Sequence, residues 1–155
     1  IVAALVSVAL EDAQQEIERR TEEASSLDEA LFALVAAELR HLRPLRRYLG
    51  SVLESAFSPL TSDDSRPEGE SLRRRHLARV GELMDRYAAA DSATPLAQQL
   101  YWSLYVGVLT FWAQDPSPKQ EDTLALLDES VQMFAAWLQG QADDVKRNNR
   151  PKREA

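Results

Sequence analysis

Leu100-Tyr-Trp-Ser-Leu-Tyr-Val-Gly-Val-Leu-Thr-Phe-Trp112 is apolar on almost every side, and the pattern breaks after it at Asp115-Pro-Ser-Pro118. The segment that follows carries Leu124, Leu127, Val131, Phe134 and Leu138 three or four residues apart, the period of one helix face. A helix that is apolar almost all round has to be covered on more than one face. One face fits the chain's own core, and the other asks for a second copy of the chain. The expected fold is all-α, a single helical bundle of about six helices.

Composition supports that class. The chain has 155 residues, enough for one domain with a real core, and 45% of them are hydrophobic against 28% charged. Five glycines and long runs of Ala, Leu, Glu, Arg and Gln favour helices, and no alternating strand pattern lies between turn residues. The net charge of -7 argues against a broad nucleic-acid surface, because phosphate binding needs clustered Lys and Arg. With no cysteine, disulfides and thiolate chemistry are excluded, and a reducing, cytoplasmic setting is the expectation. The opening Ile1-Val-Ala-Ala-Leu-Val-Ser-Val-Ala-Leu10 lacks a basic leader and a cleavage pattern and runs into Glu11-Asp12, so it does not read as a signal peptide. The apolar run from Leu100 to Ala113 is shorter than the roughly 20 residues a bilayer requires. An opening on Ile rather than Met leads us to expect a further segment upstream.

Working back from the decisive stretch, Thr94-Pro95 supplies a cap and a first-turn proline for the fifth helix. The fourth covers about 70–90, with Leu72, His76, Val80, Leu83, Met84 and Tyr87 on one face. Residues 58–69 read as a polar loop. A short third helix places Leu45, Tyr48, Leu49, Val52, Leu53, Ala56 and Phe57 on one side, after Pro44 interrupts the second. The second starts at Leu27, because Ser26 with Glu29 matches a capping box. The first runs from about Val2 to Glu22. Residues 1–141 therefore form the domain, with 1–23 as its first helix. Residues 142–155 form a polar and basic tail expected to be disordered.

Three groups of residues invite a chemical reading. Glu38 and His41 have the Glu-x-x-His spacing of carboxylate-bridged di-iron bundles, but His76, the other histidine, is preceded three residues earlier by Arg73. No metal site or cofactor is expected, and the acidic pairs Asp63-Asp64 and Asp143-Asp144 read as solvated. His76 lies on an apolar helix face, where a buried imidazole bonds a neighbour or meets a ligand. Tyr48, Phe57, Met84, Tyr87, Trp102, Tyr105 and Trp112 are a rich aromatic and thioether supply that serves plain core or a mostly apolar pocket. No phosphate loop, nucleophile or Ser-His-Asp pattern is present, so a catalytic role is not expected.

The aromatic helix Leu100–Trp112, the Asp115-Pro-Ser-Pro118 corner and Thr123-Leu-Ala-Leu-Leu-Asp128 together resemble the C-terminal regulatory half of tetracycline-repressor-family (TetR-type) transcriptional regulators. The resemblance implies that the last two helices meet their copies in a four-helix dimer interface, and that the preceding helices enclose a pocket for a small effector. It further implies that operator DNA is read by an N-terminal helix-turn-helix module, which no residue here matches, and that the first helix is its connector. The pocket is expected to draw on Tyr48, His76, Val80, Met84, Tyr87, Trp102 and Tyr105. The homodimer is expected to use Ser103, Gly107, Thr110 and Gln114, a small-polar strip on the fifth helix, with Leu124, Leu127, Val131, Phe134 and Leu138 on the sixth. The expected function is ligand sensing and dimerisation in a repressor. A helical protein-protein interaction module without an effector is the alternative.

Overall fold

The computed structural model describes residues 2–49, 67–89 and 91–148. Among these residues there are six α-helices and no strand: α1 (Val2–Asp12), α2 (Gln14–Glu22), α3 (Leu27–Leu42), α4 (Pro67–Tyr87), α5 (Pro95–Gln114) and α6 (Glu121–Asn148). Short 3₁₀ turns at Arg43–Leu45 and Pro118–Gln120 follow α3 and precede α6. The all-α expectation holds.

Local chemistry explains where the helices start. The Ser26 hydroxyl accepts from Glu29 N, opening α3, while the Glu29 carboxylate accepts from both the backbone N–H and the hydroxyl of Ser25. The reciprocal half of the capping box is thus displaced by one residue. At α5 the Thr94 hydroxyl accepts from Ala97 N at 3.1 Å, and Pro95 occupies a position where a missing N–H costs nothing. Between α4 and α5 the chain turns through Asp91, whose φ of 63° is left-handed. This turn packs on α4 at Gly81, where a Cβ would meet Ala93 Cβ at 3.4 Å, an ordinary contact.

Packing follows the helical period. Leu27, Ala30, Leu31, Leu34, Val35 and Glu38 give α3 a buried face that meets α2, α1, α4 and α6, so α3 is the hub of the bundle. Helix α6 buries Thr123, Leu127, Val131, Phe134 and Leu138 against α3 and α5. Helix α5 buries Ala97, Tyr101, Tyr105, Val108, Leu109 and Trp112. Each fully buried side chain of Leu or Phe size contributes about 1.5–3 kcal/mol relative to exposure.

Two sequence expectations change. The first predicted helix is interrupted at the single residue Ala13, which keeps helical dihedrals; Ala13 N donates to Ala9 O and Ile17 N to Ala13 O, so α2 continues α1. Helix α6 does not stop at Gly140 but continues to Asn148, so 142–148 is exposed helix rather than disordered tail. Exposed pairs such as Gln139 with Asp143 and Arg147 with Asp144, and basic residues in the last turn, support that extension. Residues 46–49 are helical as expected, while Val52, Leu53, Ala56, Phe57, Asp63-Asp64 and most of the predicted loop lie outside the described residues, as does 149–155.

Candidate functional site

The deepest polar feature joins three helices. From α3, Glu38 is brought into the core by the same period that buries Leu31, Leu34 and Leu42. His76 of α4 places Nδ1 3.0 Å from Glu38 Oε1 and Nε2 3.1 Å from the Tyr101 hydroxyl of α5. One turn further along α5, the Tyr105 hydroxyl donates to Glu38 Oε2 at 2.9 Å. An imidazole carrying its proton on Nδ1 satisfies the whole set: Nδ1 donates to Glu38, and Nε2 accepts from Tyr101. Burial, with the neighbouring Glu38 carboxylate, pushes both phenols well above their ordinary pKa, so both stay protonated donors. The rings stack as well as bond, with His76 centred 4.1 Å from Tyr105 and 5.6 Å from Tyr101, and Trp102 edge-on at 6.2 Å.

Residues beside this cluster hold the N-terminal arm. Arg75, next to His76, donates to Ser7 Oγ at 2.6 Å and to Glu11 at 3.3 Å on α1. At the other end of α4 the Tyr87 hydroxyl lies within hydrogen-bond reach of the carbonyls of Thr21 and Ala24, at 2.8 and 3.2 Å. Between these ties Glu16 of α2 meets Arg40 and His41 of α3. The hydrogen bond from His41 is the main reason the Glu16 carboxyl lies below its ordinary pKa; burial opposes this, and Arg40 and Arg20 add to it.

The α5–α6 corner is closed by side chains. Asp115 Oδ1 accepts from Ser117 N at 2.8 Å, and Oδ2 accepts from the backbone and hydroxyl of Thr123 at 2.9 and 2.5 Å. The Ser117 hydroxyl accepts from Asp122 N, so the first N–H groups of α6 are capped. Arg46 donates to the carbonyls of Trp112 and Asp115, and its guanidinium lies over the Trp112 ring. Burial by itself would raise the Asp115 pKa, but the bonds from Ser117 and Thr123 outweigh it and hold the carboxyl well below its ordinary value.

The outer side of α5 is open. Ser103, Gly107, Thr110 and Gln114 are all exposed, in line with the exposed apolar side chains of Leu96, Leu100 and Phe111. The Ser103 and Thr110 hydroxyls donate back to Gln99 O and Val106 O of their own helix. Nothing lies within 4 Å of a Cβ built on Gly107. This strip is small, internally satisfied and uncovered.

The predicted site residues divide accordingly. His76 and Tyr105 come together, with Trp102 beside them, whereas Val80 and Met84 are fully buried in the general core and Tyr87 ties α4 to α2. Tyr48 is 47% exposed with the Arg47 guanidinium over its ring, so it stands at the surface and not in a buried pocket. On α6, Leu127, Val131, Phe134 and Leu138 are at most 3% exposed within one chain; they cannot meet a second copy, because α3 and α5 already cover them. Leu124, at 38%, does reach the surface, and Leu126 and Met133 are further apolar surface on that helix. Sequence reasoning placed Glu38 on an apolar face but did not pair it with His76. That two polar residues each interrupted an apolar stripe was the available signal. Among the described residues no group of three or more His, Asp or Glu is placed to hold a metal ion, and no helix is long and apolar enough to cross a membrane. An open depression of about 470 Å³ lies between α4 and α5, lined by Glu70, Arg73, Arg74, Leu77, Ala78 and Gln98.

The described residues thus form an all-α bundle with a buried polar junction and an exposed side on α5. The family model for the tetracyclin repressor-like C-terminal domain matches residues 30–145, from the second turn of α3 to near the end of α6. The chain belongs to that family. No curated protein and no solved structure gave a match.

Proposed function

We propose that the chain is the ligand-sensing, dimerising part of a TetR-type transcriptional regulator, a repressor whose affinity for operator DNA is changed by a small, mostly apolar effector. The observation that carries this reading is the adjacency of Arg75 and His76 on α4. One holds α1; the other closes a buried junction between α3 and α5. An effector that binds preferentially to one arrangement of that junction shifts α4, and α4 cannot shift without disturbing the arm. Its leverage is limited to its differential affinity for the two arrangements. DNA contact belongs to a module outside this chain, in keeping with a net charge of -7.

The homodimer would form through the outer side of α5 together with the exposed flank of α6. The small strip around Gly107 admits close approach, and Leu96, Leu100, Phe111, Leu126 and Met133 supply apolar area beside it. A second reading is a helical interaction module without an effector. It is favoured by the completeness of the core, where Val80 and Met84 are fully buried and the polar cluster satisfies itself.

Sedimentation at micromolar concentration, combined with amide exchange of α1 across a panel of small molecules, tests both parts. A dimer whose α1 protection changes with at least one compound is the expected result. A monomer would remove the dimer. A dimer indifferent to every compound would favour the interaction module.

A further inference from the structure

The polar cluster is a slot with an occupant. Its walls come from α3, which gives Glu38, and from α5, which gives Tyr101, Trp102 and Tyr105; the ring between them comes from α4. Two tyrosines stack against His76 within 26° of parallel, and Trp102 meets it edge-on. A carboxylate faces one edge of that ring, and a phenol faces the opposite edge. Among the described residues Glu38 is partnered by His76 and Tyr105, and its carboxylate is served by no Arg or Lys. Such a slot selects by shape and by chemistry: it takes a flat ring, and it asks for an N–H donor directed at Glu38. An amidinium or protonated azole would satisfy this better than a neutral donor, because hydrogen bonds between ions are the stronger kind, and the surrounding π faces also attract a cation.

We infer that this slot is the effector's recognition point and that it takes a planar nitrogen compound with an N–H edge, an amidine or an azole, in place of the His76 ring. This inference rests on the sensing function proposed above and adds the ligand class. Arg73 lies toward the surface on the route in. It bonds Gln99, covers Trp102 at 5.3 Å and lines the α4–α5 depression. Leu77, which follows His76, lines the same depression, though the slot residues do not; on this proposal a ligand enters from that side by moving Arg73 off Trp102. Expulsion of the His76 ring turns α4, and Arg75 then loses its hold on Ser7 and Glu11.

The test uses three probes of one size and shape: benzamidine, benzamide and benzoate, with imidazole as the smallest azole. Calorimetry on the chain should show benzamidine binding about tenfold or more tightly than benzamide or benzoate. The His76 ring signals should leave their stacked environment in the nuclear magnetic resonance spectrum as benzamidine is added. Glu38→Gln should weaken benzamidine by at least about tenfold and leave any benzoate binding alone. Should Glu38→Gln fail to fold, His76→Gly supplies the second arm. That variant leaves the slot empty, and imidazole should bind it and raise its melting temperature, whereas the similarly sized thiophene should not.

Benzoate or benzamide binding as well as benzamidine would overturn the ligand class. No binding of benzamidine or imidazole up to about 10 mM, with imidazole also ineffective on His76→Gly, would overturn the slot itself. In either case a different compound that still alters α1 protection would leave the sensing function standing, so the two failures can be told apart.

Discussion

His76 and Glu38 are each other's reason for being tolerated in the core. Their side chains are 6% and 4% exposed, and removal of one leaves the other with a single tyrosine bond. His76→Leu should therefore cost about 3–5 kcal/mol in urea unfolding, since the buried Glu38 carboxylate then keeps only the Tyr105 bond. Replacing the pair together with apolar residues should cost much less, and a double-substitution cycle would measure the coupling. In the sequence, His76 was already legible as a polar residue on an apolar face. The partner was not, because the two residues are far apart in the chain and periodicity gives a face without saying which helix meets it. Tyr105 was visible only as one aromatic among several. Its hydroxyl matters because α5 brings it one turn beyond Tyr101, at the second oxygen of the same carboxylate.

Caps and corners set the elements, and they carry their own pH dependence. Asp115 has a lowered pKa in the folded chain and an ordinary value of 3.8 otherwise. Its contribution is thus complete above about that value and falls away as the pH drops toward the lowered one. Asp115→Asn should lower the melting temperature by several degrees near neutral pH, and the gap to the parent should close as the pH falls below 3.8. Thermal scans across acid pH would check this, and a gap that widens in acid would contradict it. At the far end of α4, Tyr87→Phe removes the bond to Thr21 and Ala24 and should cost about 1 kcal/mol. Amide exchange should then quicken at the end of α2 ahead of the bundle as a whole. Thr94-Pro95 and Ser26 announced their helices because capping is local chemistry. The interruption at Ala13 announced nothing, because alanine is the best helix former; α1 and α2 both pack on α3.

The assignment of faces belongs to the whole molecule. Leu127, Val131, Phe134 and Leu138 and the Gly107 strip were both legible as faces needing cover, and both were assigned to a second copy. The bundle takes the first for itself, against α3 and α5, and leaves the second exposed. A single substitution separates folding from association. Gly107→Ala meets nothing within one chain and should raise intrinsic helix stability by about 1 kcal/mol. Gly107→Leu should leave the single chain folded and weaken the proposed dimer by about tenfold or more. Opposite signs in thermal unfolding of the first and sedimentation of the second are the expected outcome. A dimer untouched by leucine would place the contact elsewhere.

The junction of α1 and α2 at Ala13 has a mechanical meaning. Ala13 is fully buried, so it is a fulcrum held inside the protein, while α1 extends from it as an arm of 11 residues. At 1.5 Å per residue that arm is about 16 Å long, so a tilt of about 10° at the fulcrum carries its tip about 3 Å. In a symmetric pair the two tips would move together and double the change in their separation. A small rotation there thus becomes a displacement comparable with the spacing between neighbouring base pairs.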